Sequence, residues 1–213
     1  LAVVGRLGGA QLAALAVATL VLATVSTQLT FLAYGTTARS ARAFGAGDRP
    51  QAVREGLQAS WIALGAGAVI IAVIYPLAPL ITRALVPEAT VADDAAHWLR
   101  IAIFGVPLIL LSMAGNGWMR GVQDTRRPVY YVITGLVISA IACVLLVHGL
   151  AGAPDLGMNG SAVANLLGQG LTGLLFGRRL FAEVGREWRP DWPVMRAQLT
   201  MARDLILRSP SFQ

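Results

Sequence analysis

The chain is predicted to be an all-α membrane protein, a polytopic helical bundle, on three observations. Five long uncharged runs recur along its 213 residues: Leu7 to Ala38, Gly56 to Thr82, Ile101 to Met119, Pro128 to Pro154 and Leu156 to Gly177. Each can supply the roughly 20 apolar residues a helix needs to cross the hydrocarbon layer. Charged residues make up 13% of the chain and apolar ones 56%, against about 25% and 45–50% in soluble domains. With a mean hydropathy of +0.65, this argues against a soluble globule. Finally, all 17 basic residues other than histidine are arginine, and fourteen of them fall in alternate gaps between the runs. Lipid offers the backbone no hydrogen-bond partner, so the runs are expected to be helices.

In chain order, the first span covers about residues 10–36 and closes on Tyr34, an interfacial aromatic. The gap after it carries Arg39, Arg42, Arg49 and Arg54 and ends at Glu55. The second span, about 57–82, contains Pro76 and Pro79, which remove backbone donors and favour kinks, either hinges or structural bends. The next gap is poor in cations, holding Arg83 and Arg100 with Glu88, Asp93 and Asp94. The third span, about 101–119, contains Pro107 and is bracketed by Trp98 and Trp118. Their spacing is ~30 Å along a helix, about one hydrocarbon thickness, so both read as aromatic-belt residues. Arg120, Arg126 and Arg127 follow. Tyr130 and Tyr131 open the fourth span, about 129–150, Asp155 stands alone in the next gap, and the fifth span covers about 160–177.

Residues 1–180 thus read as a transmembrane bundle and 181–213 as a cytoplasmic linker. In the linker Trp192, Met195, Leu199, Ala202 and Ile206 recur at helical spacing, which suggests an amphipathic helix on the inner membrane surface. The positive-inside rule places the gaps 39–55 and 120–127 and the tail in the cytoplasm. Five spans with a cytoplasmic tail leave the amino end outside, so a further helix is expected before Leu1.

The net charge of +6 does not indicate nucleic-acid binding, because the arginines are distributed between spans rather than massed on one face. Arginine in place of lysine has a compositional reading and a functional alternative, phosphate recognition. Cys143 is the single cysteine, so there is no disulfide framework and no metal-ligand spacing. No nucleotide-binding, zinc-protease or serine-hydrolase motif occurs, and no catalytic residues, cofactor or metal are expected. His148 lies near the outer end of its span, where an interfacial role suits it.

The most specific local feature is RGVQDTRRP, residues 120–128. It reads as a tight hairpin: Arg120 complements the carbonyl end of one helix, Asp124 or Thr125 caps the next, and Pro128 suits its first turn. Gly121 and Arg126 complete the motif. With AVVGRLGGAQLAALAVAT at residues 2–19, YGTTARSARAFGAGD at 34–48 and GMNGSAVAN at 157–165, it closely resembles the amino-terminal half of bacterial, DinF-like multidrug and toxic compound extrusion (MATE) transporters. The resemblance covers nearly the whole chain.

It implies family helices 2 to 6 plus the end of helix 1, forming the amino-terminal lobe, with a second six-helix lobe absent. It implies an antiporter in the bacterial cytoplasmic membrane that exports organic, often cationic, drugs or metabolites in exchange for protons or sodium by alternating access. Where the family commonly has an Asn and an Asp four residues apart, this chain has Ser139 and Cys143, neither of which replaces a carboxylate. A family pocket threonine matches Asn165, and a family aspartate would fall just before Leu1.

Polar side chains inside lipid must pair or face a cavity. Thr24, Thr27, Gln28 and Phe31 share one helical face, and Asn165 and Gln169 lie one turn apart. With Asn116, Ser139 and Cys143 these are the candidate cleft residues, and the alternative is that they make interhelical hydrogen bonds, favoured for Ser112 and Asn116. Gly117 with Gly121, and Gly173 with Gly177, fit a close-packing motif. The alternatives to an antiporter are a lipid-linked saccharide flippase, which would need basic residues inside its cavity, and a non-transporting membrane scaffold.

Overall fold

The computed structural model describes residues 4–6, 8–28, 30–150, 154, 156–184 and 188–208, with the side chains at 6, 26, 28, 30–32 and 202–208 outside the description. Its helices are α1 (Gly9–Gln28), α2 (Thr30–Gly45), α3 (Arg49–Leu85), α4 (Ala89–Ala102), α5 (Val106–Gly121), α6 (Arg126–His148), α7 (Gly157–Val184) and α8 (Trp192–Arg208), with 3-10 turns at Val4–Arg6 and Ile103–Gly105. No strand forms among the described residues. Three helical runs there are long and apolar enough to cross a membrane, Arg49–Leu85, Ala89–Gly121 and Arg126–His148, and Gly9–Val25 is apolar but shorter. The chain divides into two compact units, one of residues 1–27, 67–106 and 133–171, the other of 28–66, 107–132 and 172–213.

In the first unit, α4 occupies what composition marks as a gap. Val91, Ala92, Ala95, Ala96, Trp98, Leu99 and Ala102 are buried, an amphipathic stripe, while Asp93, Asp94 and His97 stay exposed. The stripe ends at a 3-10 turn because Pro107 has no N–H for the carbonyl of Ile103, and the Val106 N–H takes that oxygen instead. Trp98 is 2% exposed, and its indole N–H donates to Ser161 Oγ at 2.8 Å. It is a core residue, not a belt residue.

The two prolines of α3 lie inside the helix. Pro79 cannot donate to the carbonyl four residues earlier, that of Tyr75. Arg100 of α4 fills the vacancy: its Nε donates to Tyr75 O at 3.3 Å, and its guanidinium lies 5.3 Å from the centroid of the Tyr75 ring. Phe104 meets the same ring edge-on at 5.8 Å. Arg100→Met keeps the stem and removes the donor, and is expected to cost about 1–2 kcal/mol, read as a lowered thermal midpoint in detergent. An unchanged midpoint would mean that the Tyr75 carbonyl does not depend on Arg100.

The second unit is centred on Val53, Trp118, Met119, Phe176 and Leu180, with Tyr131, Val122 and Val184 packed against them. Trp118 is 1% exposed, so it too belongs to the core rather than a lipid-facing belt. Tyr131 meets Phe176 edge-on at 5.2 Å and is half-buried, whereas Tyr34 and Tyr130 are exposed. Gly117 and Gly121 present a bare backbone strip to α2: a Cβ on Gly117 would lie 2.6 Å from Ala33 O, and one on Gly121 2.6 Å from Ser40 Cβ. A Cβ on Gly173 would lie 3.0 Å from Leu108 O, a looser approach.

Two turns of this unit share one geometry. After α2, Asp48 N bonds Ala43 O and Gly47 N bonds Phe44 O, with Gly47 at φ 80°. After α5, Asp124 N bonds Met119 O and Gln123 N bonds Arg120 O, with Gln123 at φ 64°. Both are Schellman ends followed by an aspartate cap. Asp48 Oδ1 accepts from Gln51 N at 2.9 Å, and Asp124 Oδ1 from Arg127 N at 3.4 Å.

Candidate functional site

The sequence places a glutamate, Glu55, on the second turn of α3, one residue before the apolar run begins. Folding buries it to 3% exposure. Its carboxylate accepts Arg39 Nε and Nη2 of α2, both at 2.7 Å, Gln51 Nε2 at 3.1 Å, and Gln198 Nε2 of α8 at 2.7 Å. The same Gln198 amide lies 2.9 Å from the Glu55 carbonyl. Burial pushes the Glu55 carboxyl up, but the Arg39 hydrogen bonds, the Gln198 amide, the Arg39 charge and the Gln51 amide together outweigh it and hold Glu55 below the ordinary carboxylate value. Arg39 is raised in turn, chiefly by its hydrogen bond to Glu55.

One turn further along α3, Gln58 holds the segment entering α8. Its Nε2 donates to Arg189 O at 3.1 Å and its Oε1 accepts Asp191 N at 2.8 Å. Trp61 Nε1 donates to Trp188 O at 3.3 Å, and the Trp188 ring stacks on Phe181 at 4.3 Å. The face that α8 buries is therefore polar at Gln198, while Trp192 and Leu199 remain exposed at 65% and 44%. Ala202 and Ile206 lie outside the described side chains.

The sequence-predicted cleft residues divide between the units. Thr24, Thr27, Ser139, Cys143, Asn165 and Gln169 fall in the first, and Gln28, Phe31 and Asn116 in the second. Thr24 is exposed, and its hydroxyl donates to Leu20 O of its own helix at 2.8 Å. Thr27 is exposed, whereas Ser139, Cys143, Asn165 and Gln169 are half-buried. Ser139 abuts Gly168, whose added Cβ would lie 2.6 Å from Ser139 Cβ. The side chains of Gln28 and Phe31 lie outside the described residues. Asn116 Oδ1 accepts Arg120 Nε at 3.0 Å, and Ser112 Oγ donates to Leu108 O at 2.8 Å. Both bonds stay within α5: a polar group one turn away takes the Ser112 hydroxyl and the Asn116 side-chain oxygen.

In the hairpin 120–128, Asp124 rather than Thr125 supplies the capping oxygen, and its Oδ2 also pairs with Arg127 at 2.9 Å. Thr125 and Arg126 are exposed, Gly121 and Pro128 buried. Arg120 Nε is directed at Asn116 rather than at a terminal carbonyl.

Apolar helical runs long enough for lipid, joined by short polar hairpins, define a multi-pass helical membrane protein. Residues 1–145 match the family model described as MatE, and the chain belongs to that family. It is 33% identical over 200 residues to a probable multidrug resistance protein NorM of Rhizobium meliloti, covering 89% of this chain and 42% of that protein. It is 30% identical over 191 residues to the DNA damage-inducible protein F of Escherichia coli, covering 85% and 40%. The chain thus spans about two-fifths of the length of these curated relatives. A solved structure of a multidrug resistance MATE family transporter in its inward-facing conformation superposes with a TM-score of 0.83 over 94% of this chain and 46% of that one, at 22% identity. That likeness establishes the fold.

Proposed function

We propose that this chain forms one lobe of a secondary antiporter in the bacterial cytoplasmic membrane. The exchanger exports organic, often cationic, drugs or metabolites against protons or sodium. The observation that carries the proposal is membership of the MatE family over residues 1–145, with relatives named for multidrug resistance. In this reading residues 1–180 are the lobe, and 181–213 lead toward a second lobe that supplies the opposite wall of the cleft. The arginine-bearing turns after α2 and α5 face the cytoplasm. Thr24, Thr27, Gln28, Phe31, Asn116, Ser139, Cys143, Asn165 and Gln169 are the candidates for the substrate-facing surface.

Coupled exchange needs a site whose ion occupancy shifts the balance between outward and inward states. The five uncharged runs contain no carboxylate, so a carboxylate that couples the exchange would lie outside them. Proteoliposomes of residues 1–213 alone are therefore expected to show no gradient-driven export of an organic cationic dye, and export is expected once a preceding helix and a second six-helix lobe are joined to it. Export by residues 1–213 alone would overturn the half-transporter reading, and its absence from the joined protein would overturn the antiporter reading.

A further inference from the structure

Among the described residues, four buried side-chain nitrogen or oxygen atoms have no hydrogen-bond partner: Trp118 Nε1, Asn159 Oδ1, Arg179 Nε and Gln198 Oε1. Only two of these are donors, and the residues that carry them, Trp118 and Arg179, both line one cavity of about 450 Å³ in the second unit. A buried donor without an acceptor gives up the hydrogen bond it makes to water in the unfolded chain and gets nothing in return. Two residues with such donors on the walls of one cavity point to an acceptor that it can take.

The charges on the same walls identify that acceptor. The cavity is lined by Arg49, Arg126, Arg127 and Arg179, against Asp124 and Glu183. Arg49 and Arg179 share Glu183, and Arg127 pairs with Asp124. Arg126 is exposed and has no ion-pair partner among the described residues. Four guanidinium groups on two carboxylates leave a surplus of positive charge beside unsatisfied donors. Guanidinium groups match the tetrahedral oxygens of phosphate, and an indole N–H adds a donor that carries no charge of its own.

We propose that this cavity, between the turn after α5, the start of α3 and the end of α7, binds a phosphate group. Phosphate oxygens accept from Trp118 Nε1 and Arg179 Nε, and Arg126 neutralises the charge. Two sources share this chemistry, the headgroup of an anionic glycerophospholipid and free phosphate. The site rests on the cavity itself and does not depend on the antiporter reading.

Residues 1–213, purified in a neutral detergent, are to be titrated with phosphatidylglycerol, with phosphatidylcholine and with inorganic phosphate, and bound species counted by native mass spectrometry. The variants are Arg126→Gln, Trp118→Phe and, away from the cavity, Arg42→Gln. Phosphatidylglycerol is expected to be retained over phosphatidylcholine, whose trimethylammonium group offsets the phosphate charge. Its affinity is expected to fall about tenfold in Arg126→Gln and in Trp118→Phe and to stay unchanged in Arg42→Gln. Displacement of the lipid by inorganic phosphate would support the site with free phosphate as its source, and resistance to displacement would support the lipid. Arg126 is exposed, so its variant decides the matter even if Trp118→Phe does not fold. Equal affinities in Arg126→Gln and Arg42→Gln, or no binding of either phosphate source above phosphatidylcholine, would overturn the proposal.

Discussion

Glu55→Ala is expected to lower stability by about 2–4 kcal/mol, because it strands Arg39 and removes one of the two acceptors that hold Gln198 of α8, leaving only the Glu55 carbonyl. Breaking a buried ion pair from one side typically costs about 3–5 kcal/mol, and the lower figure here reflects Arg39, whose side chain is 24% exposed and regains some hydration. The pH dependence follows from the direction of the Glu55 shift. Its carboxyl lies lower in the folded chain than its ordinary value of 4.5. The stabilisation is therefore fully present above that value and is lost as pH falls through the folded one. Thermal midpoints in detergent between pH 7 and pH 3 are expected to drop at the acid end for the parent chain. The profile should be flatter in Glu55→Gln, which keeps an acceptor but cannot ionise. A parent profile no steeper than that of Glu55→Gln would remove the ion pair as the source of the effect.

This network shows where sequence reasoning stops. The apolar runs were legible because lipid forces backbone pairing within each helix, which leaves a compositional trace. A cap at Asp124 or Thr125 was legible because a cap is a local bond over three residues, and the structure assigns it to Asp124. Glu55 gave no such trace: its partner Gln198 lies 143 residues away, and as a sequence feature it marks only the edge of a run. The rotation of each helix about its axis was also hidden. In a membrane chain the faces toward lipid and toward other helices are both apolar, so the spacing of Trp98 and Trp118 fits an aromatic belt and a core equally well. Their 2% and 1% exposures settle the matter for the core. Asp93 and Asp94 mark the α4 segment as a gap by composition, yet its alanine-rich stripe buries the opposite side. Among the candidate cleft residues Thr24 and Asn116 bond within their own helices, as Ser112 does. Such bonds satisfy a polar group in lipid without requiring a cavity, and nothing in the residue type distinguishes the two solutions.

Gly117→Ala is expected to destabilise the chain by about 2–3 kcal/mol, the upper part of the range for overpacking a tight contact. The added methyl would sit 2.6 Å from the carbonyl oxygen of Ala33 and 3.2 Å from Thr37 Oγ1. A backbone oxygen cannot rotate away as a side chain can, so α2 must move relative to α5. Gly65→Ala provides the control, since a Cβ there meets nothing within 4 Å, and in a helix interior it is expected to stabilise by about 0.5–1 kcal/mol. Second-site changes separate backbone from side-chain contact. Ser40→Gly removes the Cβ that lies 2.6 Å from an added Cβ at Gly121, so it is expected to recover part of the loss in Gly121→Ala. Ala33→Gly leaves the Ala33 carbonyl in place and is expected to recover nothing in Gly117→Ala. Thermal unfolding of the five single and two paired variants in one detergent reads the difference directly. If Gly117→Ala melts with Gly65→Ala, α2 accommodates the methyl freely, and the bare strip on α5 is not what sets their approach.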